Sequence, residues 1–557
     1  MSIYCEFAKE ITLREDLKSV SESKPGGRSG LSDDSRTTSY ILKNWATLTR
    51  SMNRYSSLVD VKVMAQPALY LPAGFAVTKE VAQLHDQSHV EVITLPREIQ
   101  RMGDVKPEDL RTPGLLYLPN PYVVPGGRFN EMYGWDSYFI VLGLISSGLY
   151  DLAKGMVDNL LFEIKYYGTV LNANRTYYLT RSQPPFLTEM IRSVYECKHC
   201  FADQETALAW LEDAYRLAVM YHATWTLPHH FAGSTGLSRY FDLETGPVPE
   251  FADHDTYFHD VIGWLLTNAL EDPGYLIRNR HQIDSESGAH NTDANISPRT
   301  GVMRERASVK SHSLTDDFYL GDRAMRESGF DCSFRFGPFS GLTHHFAPVC
   351  LNSLLYRFEM DLACLARELK HETEAQNWDL LAIHRSDAIH KYLWRQDAGL
   401  FMDYNFVREL TSGYRYLSTY YPMWAGLATK EQAESLRSNL HIFERSGGLS
   451  MSPTESGMQW DEPYGWAPCN WIVVEALRNY GYLDDALRIA KAFVCTIDDN
   501  FARDATMREK YNVVTGDAEV HVTAGYKENV IGFGWTNGVY LKMQELLAEN
   551  AEWRSAR

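Results

Sequence analysis

From Cys350 to Leu369 the chain sets Leu351, Leu354, Leu355, Phe358, Leu362 and Leu365 three or four residues apart, along one face of a 3.6-residue helix. The spacing recurs at Leu152, Met156, Leu160 and Ile164, and again at Leu208, Leu211, Tyr215 and Ala218. Further helices are predicted near 372–393, 430–441, 470–480, 483–499 and 535–549. Strand-like alternation is confined to residues 60–72 and 511–523. Many helices, few strands and polar punctuation between them predict an all-α fold. Periodicity alone leaves bundle, solenoid and barrel open. A length of 557 residues allows two to four average domains or one large helical barrel.

Residues 1–38 lack apolar spacing over 21–38 and read as a disordered tail. A short helical pattern from Ser39 to Val63, then Pro- and Gly-punctuated extended chain, makes 39–114 a cap or arm, leaving 115–557 as the main domain. Between Phe251 and Ser313 the helical pattern weakens. Its Asn-, Asp-, Ser- and Gly-rich stretch after Arg278 reads as a long surface loop, a passive excursion more than a lid. The first twenty residues carry charges where a secretory signal needs an apolar run, and no stretch reaches the ~20 apolar residues of a membrane span. Eight cysteines without framework spacing suggest free thiols in a reducing compartment, and so a cytoplasmic protein. Cys197-Lys198-His199-Cys200 lacks the second ligand pair of a structural zinc site, so no metal is expected. A net charge of −18 argues against nucleic acid as partner and suits a neutral small molecule.

The run Pro125-Gly126-Gly127-Arg128-Phe129-Asn130-Glu131-Met132-Tyr133-Gly134-Trp135-Asp136-Ser137-Tyr138 combines groups that suit a sugar. An arginine fork and a carboxylate bond paired hydroxyls, and aromatic rings offer faces for a pyranose. Aromatic content of 13% is in keeping with such a cleft. The run resembles the first signature of the trehalases, inverting α,α-trehalose hydrolases. Gln459-Trp460-Asp461-Glu462-Pro463-Tyr464-Gly465-Trp466-Ala467-Pro468 is similar to their second signature, and Gly532-Phe533-Gly534-Trp535-Thr536-Asn537-Gly538 to a further landmark. The resemblance spans roughly residues 115 to 550 and is nearest in wording to the neutral, cytosolic trehalases of fungi. It implies an (α/α)6 barrel with its site among loops at one end, a disaccharide substrate and no cofactor. Oligomeric state is not legible.

Cleaving a glycosidic bond takes two carboxyl groups, one to protonate the leaving oxygen and one to activate water or attack. Composition cannot select them from 72 acidic residues. By resemblance, Asp331 in Arg326-Glu327-Ser328-Gly329-Phe330-Asp331 stands at the general acid's place, with Phe330 and Phe334 as an apolar wall to raise its pKa. Glu509 in Arg508-Glu509-Lys510-Tyr511 stands at the base's, with Lys510 and Arg508 favouring its ionised form. The resemblance also implies substrate contacts from Arg128, Trp135, Asp136, Asn172, Arg181, Ser182, Gln183, Glu250, Arg326, Gly329 and Trp460. Two positions depart from the family. Val248 replaces an arginine that some members carry. Tyr526 stands where many have a substrate-binding glutamate, for which Glu528 is the expected substitute. These departures leave open a glycosidase for another small α-glucoside; a silent trehalose-binding sensor is a separate alternative, which the joint retention of Asp331, Glu509 and the arginines disfavours.

Overall fold

The computed structural model describes residues 35–59, 67–88, 90–249, 256–278, 306–524 and 528–555. Six helices form a closed ring: Asp136–Ser146, Leu187–Glu196, Val349–Glu368, Tyr421–Trp424, Ala467–Asn479 and Gly534–Ser555. Each packs on the next, and the last returns to the first. Behind them stand Tyr150–Tyr167, Gln204–Trp225, Glu372–Tyr392 and Leu483–Asp504, each against the ring helix that precedes it in the chain, while Ser35–Leu48 backs the last. Lys430–Ser438 follows the fourth ring helix in sequence. This alternation of inner and outer helices is the (α/α)6 barrel.

Hydrophobicity sorts the two layers. The ring helix Asp136–Ser146 is apolar around its circumference and buries every residue from Asp136 to Val141. The outer helix Leu483–Asp504 is amphipathic, burying Ala486, Ile489, Ala490, Phe493 and Ile497 along one face. Ring closure depends on two glycines. At Gly143 and Gly538 the first and last ring helices come so close that a Cβ on either would meet the other helix's backbone. Only glycine permits that approach. Two helices outside the ring begin on side-chain caps: Asp203 accepts from the amide of Thr206, and Thr429 with Gln432 forms a capping box ahead of Lys430–Ser438.

The first helix starts at Ser35, so the expected tail contributes its last four residues, Ser35 to Thr38, to a helical turn; residues 1–34 lie outside the described residues. The arm contains a three-stranded parallel sheet, with Ala68–Leu71 between Glu91–Thr94 and Leu115–Leu116. The Asn-, Asp-, Ser- and Gly-rich stretch expected to be a surface loop lies outside the described residues, but order is present on either side of it. Tyr257–Thr267 is a helix with Phe258, Val261, Ile262 and Leu265 buried, and Leu276–Arg278 pairs with His312–Leu314 in a small antiparallel sheet. That i+3/i+4 apolar pattern is present in the sequence, but it is flanked on both sides by polar chain. These elements share a second apolar cluster with Phe318, Phe336 and Phe339, alongside the barrel core.

Candidate active site

The cleft lies between the barrel core and this second cluster, and its walls come from segments scattered over four hundred residues. Aromatic rings line the barrel side. Trp460 and Trp466 stack with centroids 3.8 Å apart and planes 2° from parallel. Trp535 meets Trp466 edge-on at 5.7 Å and Trp135 at 5.6 Å. Two of the polar tips are anchored: Trp466 Nε1 donates to the Gln459 carbonyl (2.9 Å) and Trp535 Nε1 to that of Glu509 (3.1 Å). The rings are therefore held in place and still present apolar surface to the cleft.

Backbone pairing delivers Glu509. Lys510–Asn512 runs antiparallel to Tyr464–Trp466, with Lys510 opposite Trp466, and the Glu509 amide donates to the Val530 carbonyl (2.9 Å). Two motifs some forty residues apart thus become one wall. Lys510 Nζ donates to Glu509 Oε2 at 2.7 Å and sits 5.0 Å from the Trp466 ring centre. Both side chains are essentially buried, and burial pushes the lysine's pKa down while Glu509 counteracts the shift. Arg508, expected to share the task of charging Glu509, turns instead to Asp504.

Asp331 follows the helix Asp316–Ser328, which ends on Gly329 in a left-handed conformation (φ +75°). Its carboxyl is about one-third exposed, and Arg326 Nη1 lies 3.3 Å from Oδ2. Arg326 is itself gripped by Asp322 through Nε (3.1 Å) and Nη2 (3.0 Å), and it covers the Tyr257 ring at 5.2 Å. Asp136, at the start of the first ring helix, feels both Glu509 and Asp331. Burial foremost, then those two charges, hold its carboxyl well above the usual carboxylate range. A neutral Asp136 is a hydrogen-bond donor in the cleft.

Gly329 is fixed by sterics as well as by φ. A Cβ there would lie 2.8 Å from Trp135 Cε2, in the packed aromatic wall. Gly329→Ala is expected to displace Trp135 or the Asp331 loop and lower kcat/KM by about 10²-fold, the scale of a ~1 Å misplacement. Steady-state kinetics with a near-unchanged circular dichroism spectrum would check this.

The cleft also gathers Arg128, Trp135, Asn172, Arg181, Gln183 and Trp460. Gln183 Oε1 accepts from the Trp135 amide (3.0 Å), and the Arg181 guanidinium lies 4.9 Å from the Tyr178 ring centre. Among the described residues, Ser182 and Glu528 do not line it. The Ser182 hydroxyl donates to the Val170 carbonyl (2.6 Å) and meets Tyr221, and Glu528 is exposed. Glu250 and Tyr526 lie outside the described residues, while Val248 packs in the second apolar cluster. Sequence reasoning missed Tyr257, which lies where the helical pattern weakens, and two buried acids behind the wall. Asp242 accepts from Arg323 Nη1 (2.8 Å) and faces Arg181 Nη1 (3.6 Å). Glu327 accepts from the amides of Ser182 (3.1 Å) and Phe241 (2.7 Å). Asp242 sits in no motif with a distinctive local pattern, and Glu327 lies inside the Arg326–Asp331 run, which was read only for its neighbours.

An (α/α)6 barrel whose cleft sets carboxyl groups among arginines and tryptophans defines a glycoside hydrolase. The profile of the trehalase family matches residues 35–270 and 279–548, and the chain belongs to that family. It is similar to the cytosolic neutral trehalase of Saccharomyces cerevisiae, 34% identical over 555 residues that cover 89% of this chain and 69% of that one. It is 33% identical to the cytosolic neutral trehalase of Emericella nidulans, covering 93% and 73%. The solved structure of neutral trehalase Nth1 from S. cerevisiae superposes with a TM-score of 0.73 at 30% identity, covering 92% of this chain and 94% of that one. Among the described residues no helix is long and apolar enough to cross a membrane.

Proposed function

We propose that the protein hydrolyses α,α-trehalose in one displacement, with Asp331 as general acid and Glu509 as general base. The observation that carries this reading is the convergence of Asp331, Glu509 and the buried Asp136 on one aromatic- and arginine-lined cleft. Glu509 takes a proton from water as the water oxygen bonds to the anomeric carbon. Asp331 gives its proton to the departing glycosidic oxygen. Lys510 orients Glu509, and Arg326 positions Asp331 beside the sugar. The Arg326 contact favours an ionised Asp331 in the free protein. A bound disaccharide covers this partly exposed carboxyl, removes its hydration and raises its proton affinity. Arg128, Arg181, Asn172 and Gln183 bind hydroxyl groups, and Asp136 donates to one. The cytosolic relatives support the same compartment here.

Product stereochemistry tests the mechanism. A fresh digest read by proton NMR before mutarotation is expected to show equal α- and β-glucose, because water inverts one ring and the other leaves unchanged. α-Glucose alone would mean a nucleophilic Glu509 and a covalent intermediate. Parallel assays on maltose and sucrose are expected to release no comparable glucose. Faster turnover of either would assign the cleft to a different α-glucoside.

A further inference from the structure

Apart from the cleft, a second group of side chains converges. Asp317 lies in the first turn of the helix Asp316–Ser328, which Thr315 caps by accepting from the Phe318 amide at 3.2 Å. The helix packs along the turn Thr343–His345. Thr343 Oγ1 donates to the Ser340 carbonyl (2.6 Å), Arg239 Nη1 to the His344 carbonyl (2.9 Å), and the Phe406 amide to the His345 carbonyl (3.1 Å). The turn is held from three sides, and both imidazoles face the carboxylate. His344 Nε2 is 2.9 Å and His345 Nε2 3.3 Å from the same oxygen, Asp317 Oδ1.

We propose that Asp317, His344 and His345 form a binding site for a divalent first-row transition ion such as Zn²⁺ or Co²⁺. The ligand atoms of all three residues lie within 4.8 Å of one another. Two ligands about 2.0–2.1 Å from one zinc ion stand about 3.3 Å apart at a tetrahedral angle and about 2.9 Å apart at a right angle. The two nitrogen–oxygen spacings match these values, so an ion can enter with small side-chain rotations. Two imidazole nitrogens and one carboxylate select zinc or cobalt over calcium or magnesium, which favour all-oxygen shells. Asp317 is half exposed and His344 buried, so water can complete the shell on the open side. The ion would clamp the turn to the start of the helix whose other end carries Arg326 and Gly329. It takes no part in the bond cleavage assigned to Asp331 and Glu509.

The experiment uses the full chain, stripped with a chelator and titrated with Zn²⁺ by calorimetry and with Co²⁺ by visible absorption. One equivalent is expected to bind, with cobalt d–d bands and a raised melting temperature, since an ion held only by the folded state stabilises it. His345→Gln and Asp317→Asn are each expected to weaken binding by at least about 100-fold, the upper end of what losing an outer-shell partner costs. Trehalose turnover by the metal-free variants is expected to stay near wild type. Absence of stoichiometric binding would overturn the proposal, as would affinity unchanged in both variants. If a variant fails to fold, X-ray absorption of the zinc-loaded wild-type chain decides. Nitrogen and oxygen neighbours with imidazole scattering at about 2.0–2.1 Å support the site, and sulfur at about 2.3 Å, pointing to Cys197 and Cys200, sinks it.

Discussion

Asp331→Asn and Glu509→Gln are each expected to lower kcat by ~10²–10⁴-fold, the usual contribution of one positioned proton-transfer group, with trehalose still bound. Both amides keep the side chain's shape and lose only its acid–base function. The two variants should differ in stability. Asp331 is partly exposed, and its partner Arg326 keeps both contacts to Asp322, so Asp331→Asn leaves no charge stranded. Glu509 forms an ion pair with Lys510, which is fully buried. Glu509→Gln removes a full negative charge from beside that buried ammonium, so the melting temperature should fall further than in Asp331→Asn. Adding Lys510→Met should recover stability without recovering turnover. Near-wild-type kcat in either single variant would remove that residue from the mechanism.

Asp403→Leu is expected to cost about 3–5 kcal/mol of stability, the scale for breaking a buried ion pair by removing one partner. Arg335 is wholly buried and grips Asp403 with two bonds, Nε to Oδ2 (2.8 Å) and Nη2 to Oδ1 (2.7 Å). Its guanidinium lies between the Phe336 and Tyr416 rings, at 4.6 and 4.5 Å, where no water can replace the lost carboxylate. Asp403 also accepts from the Val349 amide (2.8 Å), so the third ring helix loses an anchor at its start. Denaturant unfolding should show the midpoint fall, and the double variant Arg335→Met/Asp403→Leu should recover much of it. Because Arg335 is four residues past Asp331, the single variant should also lose activity below its melting temperature. A full-stability, full-activity Asp403→Leu protein would show that the pair is dispensable.

Much of the fold is legible because helix periodicity is local. The leucines of 351–365, and the runs at 372–393, 470–480 and 483–499, each declare a buried face within a few turns, and helices stand at all of them. The site's polar and aromatic groups were legible for another reason: Arg128, Trp135, Asp331, Trp460 and Glu509 sit in runs whose wording resembles a family. The helix Tyr257–Thr267 was hidden because its four apolar positions are brief and polar chain surrounds them, so only docking against Phe318 and Tyr319 makes the pattern pay.

The sequence alone determined the helical class, the motifs whose residues line the cleft, and the absence of an apolar run long enough to span a membrane. These rest on residue identity and spacings of a few positions, which the backbone reads directly. Closure of six helices into a ring was decided only by tertiary structure, because it depends on Gly143 meeting Gly538 across nearly four hundred residues. So was the setting of each functional group. Lys510 reaches Glu509 over the Trp466 ring because two short strands pair. The Asp136 carboxyl is held well above the usual carboxylate range by burial first, and then by Glu509 and Asp331 brought to the same cleft from distant segments. Ser182 matches its motif, yet its hydroxyl faces Val170 and Tyr221 instead of the cleft. Burial and charge act through distance in space, and that distance is set only when the whole chain has packed.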